Sequence, residues 1–449
     1  MSLFSQKNLS FLFLPFLFIL IYFLPKIYLD LRKSASGTLA SIVIDTQNPG
    51  SNLSPALWQN LAQGGEEPTD MIKPVISQLR LLRPQLIRVD HLFDYYQVDK
   101  GNSQYDFSRL DEVVDSIVKT GARPLLSLSY TPDAKEPGDW NQWNSLVKAT
   151  AHRYSIEKNI SGIYYEVWNE PDLFGGWHYA KSPNYPTLYI NSARAVVDGA
   201  KGSIYKVGGP ATTGYYPNWI KSLFATASKN KVPLDFISWH KYSKNISEYL
   251  KDFDDLNKIL SDYPQYFDIE RLITEIGPSS EPDTWYDNQL SGIHLISLCT
   301  QLSGKIHRLF TFEAIDGTSS RSDKSTGWGI LTHQGKTKPR YHALLFLNQI
   351  SGPRLPSIGD GSWVTSFSTK KASTIQTLVV NYDPDLKHYE STPITYQGLI
   401  PGQYQLKISP YQGQSRQKTV TITSSSYTEN LYLEPNTAYL LELSPLSKK

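Results

Sequence analysis

The sequence predicts an α/β fold: a closed (β/α)8 TIM barrel with a C-terminal antiparallel β-sandwich, behind an N-terminal transmembrane helix. Three observations carry this expectation. Short apolar runs alternate with amphipathic stretches about eight times over roughly 300 residues, the pattern of a parallel α/β fold. After about Gly352 that pattern gives way to short alternating strands separated by Gly, Pro, Asp and Ser. Before it, Asn8–Pro25 is a run of 18 residues without a charge, just long enough to cross a hydrocarbon layer of about 30 Å.

The N-terminal run is flanked by Lys7 on one side and by Lys26, Arg32 and Lys33 on the other. A cleaved signal peptide needs a shorter apolar core with a small-residue site close behind it. Here Ser34-Ala35-Ser36 lies too far downstream, so residues 1–33 are expected to remain as a membrane anchor. Residues 34–52 form a tether and a strand over Ser41–Asp45, expected to join the later sandwich.

The barrel is expected over residues 53–350. Strand candidates are Leu86–Val89, Pro124–Leu128, Ile163–Trp168, Tyr205–Gly208, Asp235–Trp239, Arg271–Thr274 and Ile306–Phe312. Helix candidates between them are Met71–Leu82, Ser108–Thr120, Trp140–Tyr154, Leu188–Ala200, Asn218–Ala227, Ile246–Ser261 and Gln289–Gln301. In the second of these, Leu110, Val113, Val114, Ile117 and Val118 recur at helical spacing and Gly121 closes the helix. The count fits a closed barrel better than an open doubly wound sheet, and no Gly-rich phosphate loop follows the first strand. Residues 351–449 then supply Trp363–Ser368, Thr374–Asn381, Tyr404–Ile408, Thr419–Thr423 and Ala438–Leu443 as sandwich strands.

Composition narrows the function. Forty-four Lys and Arg against forty-two Asp and Glu leave a net charge of +2, and the basic residues are dispersed, which disfavours a nucleic-acid partner. Cys299 is the only cysteine; it excludes an internal disulfide and a cysteine zinc cluster, and it falls on an apolar helix face as a core residue. No His/Asp/Glu metal spacing stands out, so neither metal nor other cofactor is expected. The 29 Tyr, 17 Phe and 10 Trp suit sugar faces, and suit an ordinary large core equally well.

The chemistry concentrates at two strand ends. Tyr164-Tyr165-Glu166-Val167-Trp168-Asn169-Glu170-Pro171 is a buried strand that stops at Asn-Glu before Pro. Leu272-Ile273-Thr274-Glu275-Ile276-Gly277 is a second apolar strand ending in Glu before Gly. In an eightfold barrel the C-terminal strand ends carry catalysis, and these two belong to the fourth and seventh strands. Glu170 and Glu275 therefore face one mouth. Two carboxyls in one cleft are the minimum machinery for cleaving a glycosidic bond, one protonating the leaving oxygen while the other attacks or activates water. Glu166, inside the fourth strand, reads as a packing or salt-bridge residue.

Trp168-Asn169-Glu170-Pro171 and Thr274-Glu275 resemble the acid/base and nucleophile motifs of the clan A retaining glycoside hydrolases. The sequence is most similar to glycoside hydrolase family 39, which includes β-xylosidases, α-L-iduronidases and exopolysaccharide-cleaving glycosidases. Tyr105-Asp106-Phe107, Arg123-Pro124, Asp235-Phe236-Ile237-Ser238 before His240, and Gly327-Trp328-Gly329-Ile330-Leu331 leading to Lys338-Pro339 share the likeness, which runs from about Leu53 to the C-terminus. The resemblance implies Glu170 as general acid/base, Glu275 as nucleophile and Asn169 as a hydrogen-bond partner of the sugar 2-hydroxyl. It implies that His240 and Tyr242, at the end of the sixth strand, orient the nucleophile or touch the sugar. Arg88, ending the second strand, is expected below Glu275, keeping it ionised by charge proximity. Trp177, Trp285 and Trp328 fall in strand-to-helix loops as candidate stacking platforms. Glu313 and Asp316 read equally as sugar-hydroxyl ligands and as solvated loop acids.

The expected activity is retaining hydrolysis of an oligo- or polysaccharide. A transglycosidase using the same two glutamates and a non-catalytic carbohydrate-binding scaffold are the rival readings, and retention of both Glu170 and Glu275 counts against the scaffold. The charges after the anchor outnumber those before it, which alone would keep the body cytoplasmic; a polysaccharide substrate favours an extracytoplasmic body, and that is the expectation.

Overall fold

The computed structural model describes residues 37–64, 67–318 and 327–446. The expected membrane anchor lies outside them; among the described residues no helix is long and apolar enough to cross a membrane.

Strand β1 (Ile42–Asp45) comes first but does not enter the barrel. Eight parallel strands close on themselves in chain order: β2 (Asn60–Gln63), β3 (Leu86–Val89), β4 (Arg123–Leu128), β5 (Ile163–Val167), β6 (Tyr205–Thr212), β7 (Phe236–Tyr242), β8 (Glu270–Gly277) and β9 (Arg308–Phe312). β9 pairs back onto β2 through Asn60 opposite Phe310. Of these, β2 was not singled out by the sequence. It is a four-residue strand bounded by Asn60 and Gln63, which are buried despite being polar, so no apolar run announces it.

The helices outside the barrel are α1 (Ile76–Leu81), α2 (Ser108–Thr120), α3 (Trp140–His152), α4 (Tyr185–Gly199), α5 (Pro217–Asn230), α6 (Ile246–Leu260), α7 (Gln289–Leu302) and α8 (Pro339–Leu347). Periodicity explains α2: Leu110, Val113, Val114 and Ile117 are buried, and Gly121 takes the left-handed conformation at φ 94° that closes a helix without a Cβ penalty. Val118, expected on the same stripe, is 44% exposed, because it sits at the edge of the apolar arc. α8 was not anticipated; Pro339 opens it at the first helical position, where its missing N–H costs nothing.

Inside the barrel, Leu86, Leu125, Tyr164, Phe236, Leu272 and Phe310 form an apolar plug. Two residues further along their strands, on the same face, Leu86 is followed by Arg88 and Tyr164 by Glu166. The polar layer of the site thus rests directly on a packed floor.

Beyond the barrel, β10 (Arg354–Leu355), β11 (Ser357–Ile358), β12 (Val364–Lys371), β13 (Thr374–Asn381), β14 (Glu390–Gln397), β15 (Gly402–Pro410), β16 (Arg416–Ile422), β17 (Ser426–Leu433) and β18 (Thr437–Pro445) make two sheets. Their orders are β11-β1-β14-β17 and β10-β12-β13-β18-β15-β16. β1 lies parallel to β14, Ile42 opposite Ile394, so the chain contributes a strand here before it enters the barrel. β14 and β17 were missed in the sequence: Pro393 interrupts the first, and the outward positions of both are mostly Ser, Thr, Asn and Gln.

Strands β12, β13 and β18 of the six-stranded sheet are buried on both faces. Ile375, Val379, Leu441 and Leu443 point into the sandwich core, while Phe367, Leu378, Val380, Ala438 and Leu440 belong to the core shared with the barrel. α7 lies between barrel and sheet, which is why it is apolar all round, Cys299 included.

Candidate active site

The C-terminal strand ends converge on Arg88. Its guanidinium is fully buried and donates in three directions: Nε to Glu166 Oε2 at 2.6 Å, Nη1 to Glu275 Oε1 at 2.9 Å and Nη2 to Asn169 Oδ1 at 2.6 Å. Asp90 Oδ2 lies 3.5 Å from Nη1. Because arginine only donates, the Asn169 oxygen must face it. The Asn169 amide nitrogen is therefore turned the other way, and it donates to the Tyr130 hydroxyl at 2.6 Å.

Glu170 follows on a sharp turn. Trp168 and Glu170 both have positive φ, 71° and 46°, and the Glu170 N–H is bonded to the Ala211 carbonyl at 2.9 Å. A bulky residue holds such a backbone only where packing over-determines it; Trp168 is fully buried, with the rings of Tyr130, Trp143 and Trp177 against it.

A bulge in the β7–β8 ladder between Trp239 and His240 sets His240 directly opposite Glu275. His240 Nδ1 then lies 3.0 Å from Glu170 Oε1 and 3.5 Å from Glu275 Oε2. The Tyr242 hydroxyl donates to Glu275 Oε2 at 2.7 Å. One oxygen of each glutamate and one His240 nitrogen all fall within 4.8 Å of one another. Three such ligand atoms could hold a metal ion, but a dication there would sit beside the Arg88 guanidinium, which opposes it electrostatically.

The three groups share their titration. Burial alone would raise Glu170, but the hydrogen bond and charge of His240 outweigh it and hold Glu170 below the usual carboxylate range. Burial lifts Glu275 above that range; His240 and Arg88 oppose the rise, and the charge of Glu170 adds to it. Burial also disfavours a charged His240, yet the charge of Glu275 and the contact with Glu170 win and raise it above its ordinary value.

A family model for glycosyl hydrolases family 39 matches residues 42–376 of this chain. The chain belongs to glycosyl hydrolases family 39. It is 26% identical over 301 residues to a beta-xylosidase of Geobacillus stearothermophilus, covering 57% of this chain and 58% of that protein. A second beta-xylosidase, of Caldicellulosiruptor saccharolyticus, is 26% identical over 298 residues, so the chain spans about 60% of the length of these curated relatives. Among solved structures, a monomeric beta-xylosidase from Caulobacter crescentus superposes with a TM-score of 0.75 at 20% identity, over 91% of this chain and 100% of that one. A glucosidase from Croceicoccus marinus does so with a TM-score of 0.70 at 17% identity, over 91% and 100%. The structural likenesses show the fold.

In this family 39 chain, Glu170, Glu275, Asn169, His240, Tyr242 and Arg88 are brought together. Arg88 is placed behind them with no exposure, so it holds the carboxylates and does not reach a sugar. Trp177 is corrected: it is 2% exposed and its ring packs edge-on against Trp168 at 5.6 Å, leaving no face for stacking. Trp328 is buried too, and meets the site through Phe312, whose ring lies edge-on to Tyr242 at 6.2 Å. Trp285 is half-buried, with the Lys244 ammonium 4.4 Å from its ring centre. Asp316 is a structural acid, since its carboxylate takes Lys338 Nζ at 3.0 Å and the Gly329 N–H at 2.6 Å. Glu313, just past the end of β9, is buried and accepts from Gln63 Nε2 of β2 at 3.1 Å.

Tyr130 and Asp90 were missed by the sequence reading. Each follows a barrel strand within two residues, β4 and β3 respectively, so the rule that selected Glu170 would have selected them; only the lack of a recognisable motif hid them.

Arg88→Met should destabilise the protein by about 3–5 kcal/mol, the cost of leaving buried carboxylates without their cation, read from urea unfolding. Arg88→Lys should recover little of it, since one ammonium cannot meet three acceptors in a plane. Wild-type stability in either variant would show that the guanidinium does not organise the site.

Proposed function

We propose that this chain hydrolyses an O-glycosidic bond of an oligo- or polysaccharide with retention of configuration, Glu275 acting as nucleophile and Glu170 as acid/base. The observation that carries this reading is the approach of the two carboxylates to within 4.8 Å. Oxygens this close fit the carboxyl spacing of about 5–5.5 Å used in double displacement better than the roughly 6.5–9.5 Å of an inverting site. In the first step Glu170 protonates the departing oxygen as Glu275 bonds to the anomeric carbon. In the second, Glu170 takes a proton from water, and that water replaces Glu275. The second N–H of Asn169 is free to meet the sugar 2-hydroxyl, because Arg88 and Tyr130 fix the amide's orientation. The two beta-xylosidase relatives make β-xylosides the first substrates to try.

The resting order of the two carboxylates is the reverse of what the first step uses, with Glu170 held low and Glu275 high. Transfer of the His240 proton to Glu170 inverts it. The imidazole then ceases to hold Glu170 low, and Arg88 and Tyr242 support a charged Glu275. His240 and Glu170 thus carry one proton between them, and their titration belongs to the pair.

The same reading places the body outside the cytoplasm, tethered by the uncharged run Asn8–Pro25. Protease added to intact cells should cleave it, and protection would refute that sidedness.

Proton NMR of the first-formed product should show the substrate's own anomer; the opposite anomer excludes double displacement. Glu275→Ala with azide should give an inverted glycosyl azide. Glu170→Ala should keep glycosylation from dinitrophenyl glycosides and yield a retained azide, and exchanged outcomes would swap the two roles.

The pH profile of kcat/KM should fall on the basic side above the ordinary histidine value, because the shared proton is lost only as pH rises through the raised His240 pKa. In His240→Gln the proton rests on a lone buried carboxyl, so that limb should move down toward about pH 6. An unmoved limb would mean that His240 holds none of the catalytic proton.

A further inference from the structure

The end of β7 and the loop after it are held by three donors from three different elements. The Tyr249 hydroxyl, on α6, donates to the Lys241 carbonyl at 2.8 Å. His294, on α7, contacts the Ser243 carbonyl through Nε2 at 2.9 Å. The Tyr382 hydroxyl, at the end of β13, donates to the Lys244 carbonyl at 2.6 Å. The carbonyls of residues 241, 243 and 244 thus bracket Tyr242, whose own hydroxyl holds Glu275.

Of the three donors, Tyr382 alone comes from the sandwich. Its backbone is fixed there by its N–H on the Trp363 carbonyl at 3.0 Å, and its ring lies edge-on to His294 at 5.6 Å. It is 6% exposed and belongs to the core that barrel and sandwich share. It also lies beyond residue 376, where the family match ends. On the other side of the loop, Lys244 reaches Asp283 at 2.9 Å and covers the Trp285 ring. The segment 242–244 therefore joins the nucleophile's hydroxyl donor, the loop after β8 and the sandwich.

We infer that the sandwich is a working part of the active site, with Tyr382 as a positioning residue that sets Tyr242 against Glu275 by fixing the Lys244 carbonyl. This rests on the assignment of Glu275 as nucleophile. The hydrogen bond to Glu275 is directional, and a shift of a few tenths of an ångström in the loop weakens it. Glu275 is faced by Arg88, Asp90, Glu170, His240 and Tyr242; loss of a donor among them makes its charged form costlier.

The test uses the full chain with Tyr382→Phe, which keeps the ring and removes only the hydroxyl. Tyr242→Phe gives the scale, since it removes the hydrogen bond to Glu275 itself. Both variants should raise the acidic limb of kcat/KM for an aryl glycoside, Tyr382→Phe by the smaller amount, and Tyr382→Phe should lower kcat about three- to tenfold with little change in KM. Hydrogen exchange of the segment 241–245 should accelerate in Tyr382→Phe, because the Ser243 N–H bond to the Gly277 carbonyl loses its support. An unchanged exchange rate, or an acidic limb that stays in place while the melting temperature falls, overturns the inference and leaves Tyr382 as ordinary packing. If wild-type enzyme turns over no glycoside, the proposed function fails, and the exchange measurement still decides the positioning claim.

Discussion

One buried guanidinium organises this protein. Arg88 sits above the apolar plug of the barrel with no exposed surface, where an unpaired charge would be very costly. It is tolerated because each of its three donor directions meets an acceptor: Glu166 on β5, Asn169 just beyond the end of the same strand, and Glu275 across the barrel on β8. The arrangement is also a constraint on the strands. Moving β3, β5 or β8 by one residue would turn a partner to the outside of the barrel and strand the charge. The strand register that closes the barrel is therefore also the one that assembles the site.

Above that hub the chemistry is shared. Two carboxylates within 4.8 Å cannot both ionise freely, and a single imidazole nitrogen lies between them. The protein sets the balance by different means on each side. Glu275 has fixed donors in Arg88 and Tyr242, whereas Glu170 has His240, a group that can give its proton away. A carboxylate with permanent partners suits a nucleophile, and one whose partner changes charge suits an acid that must later act as a base.

The sandwich is anchored as firmly as the barrel is closed. Its larger sheet has apolar residues on both faces, one face against its companion sheet and the other against α7 and the barrel. Such a contact leaves little freedom for one part to move on the other, so the Tyr382 hydroxyl, just past the end of β13, can serve as a fixed reference for the loop that follows Tyr242. α7 shows what this arrangement demands of the sequence. It carries almost no amphipathic signal, because both of its sides are interior.

Much of this was written in the order of residues. The strand ends at Glu170 and Glu275 were legible because Pro171 and Gly277 stop apolar runs at a glutamate, and the eightfold repeat set both in the same mouth. Helices such as α2 were legible from periodicity, and membership of glycosyl hydrolases family 39 from the motifs themselves. Strands β2, β14 and β17 were not, because polar residues fill buried positions in each, among them Asn60, Gln63, Glu390, Thr392 and Glu429, and Pro393 interrupts β14. Trp177 and Trp328 misled for a related reason: loop position says that a ring is near the mouth, but not whether other rings already cover it, as Trp168 does Trp177. Only the tertiary structure decided that Asn169 turns its amide nitrogen toward Tyr130, that a bulge brings His240 onto Glu275, and that Tyr382 reaches the loop beside Tyr242. Each of these depends on a direction or a register between segments tens to hundreds of residues apart. Sequence fixes which groups are available along one strand or helix; the pairing of distant segments fixes which way they point.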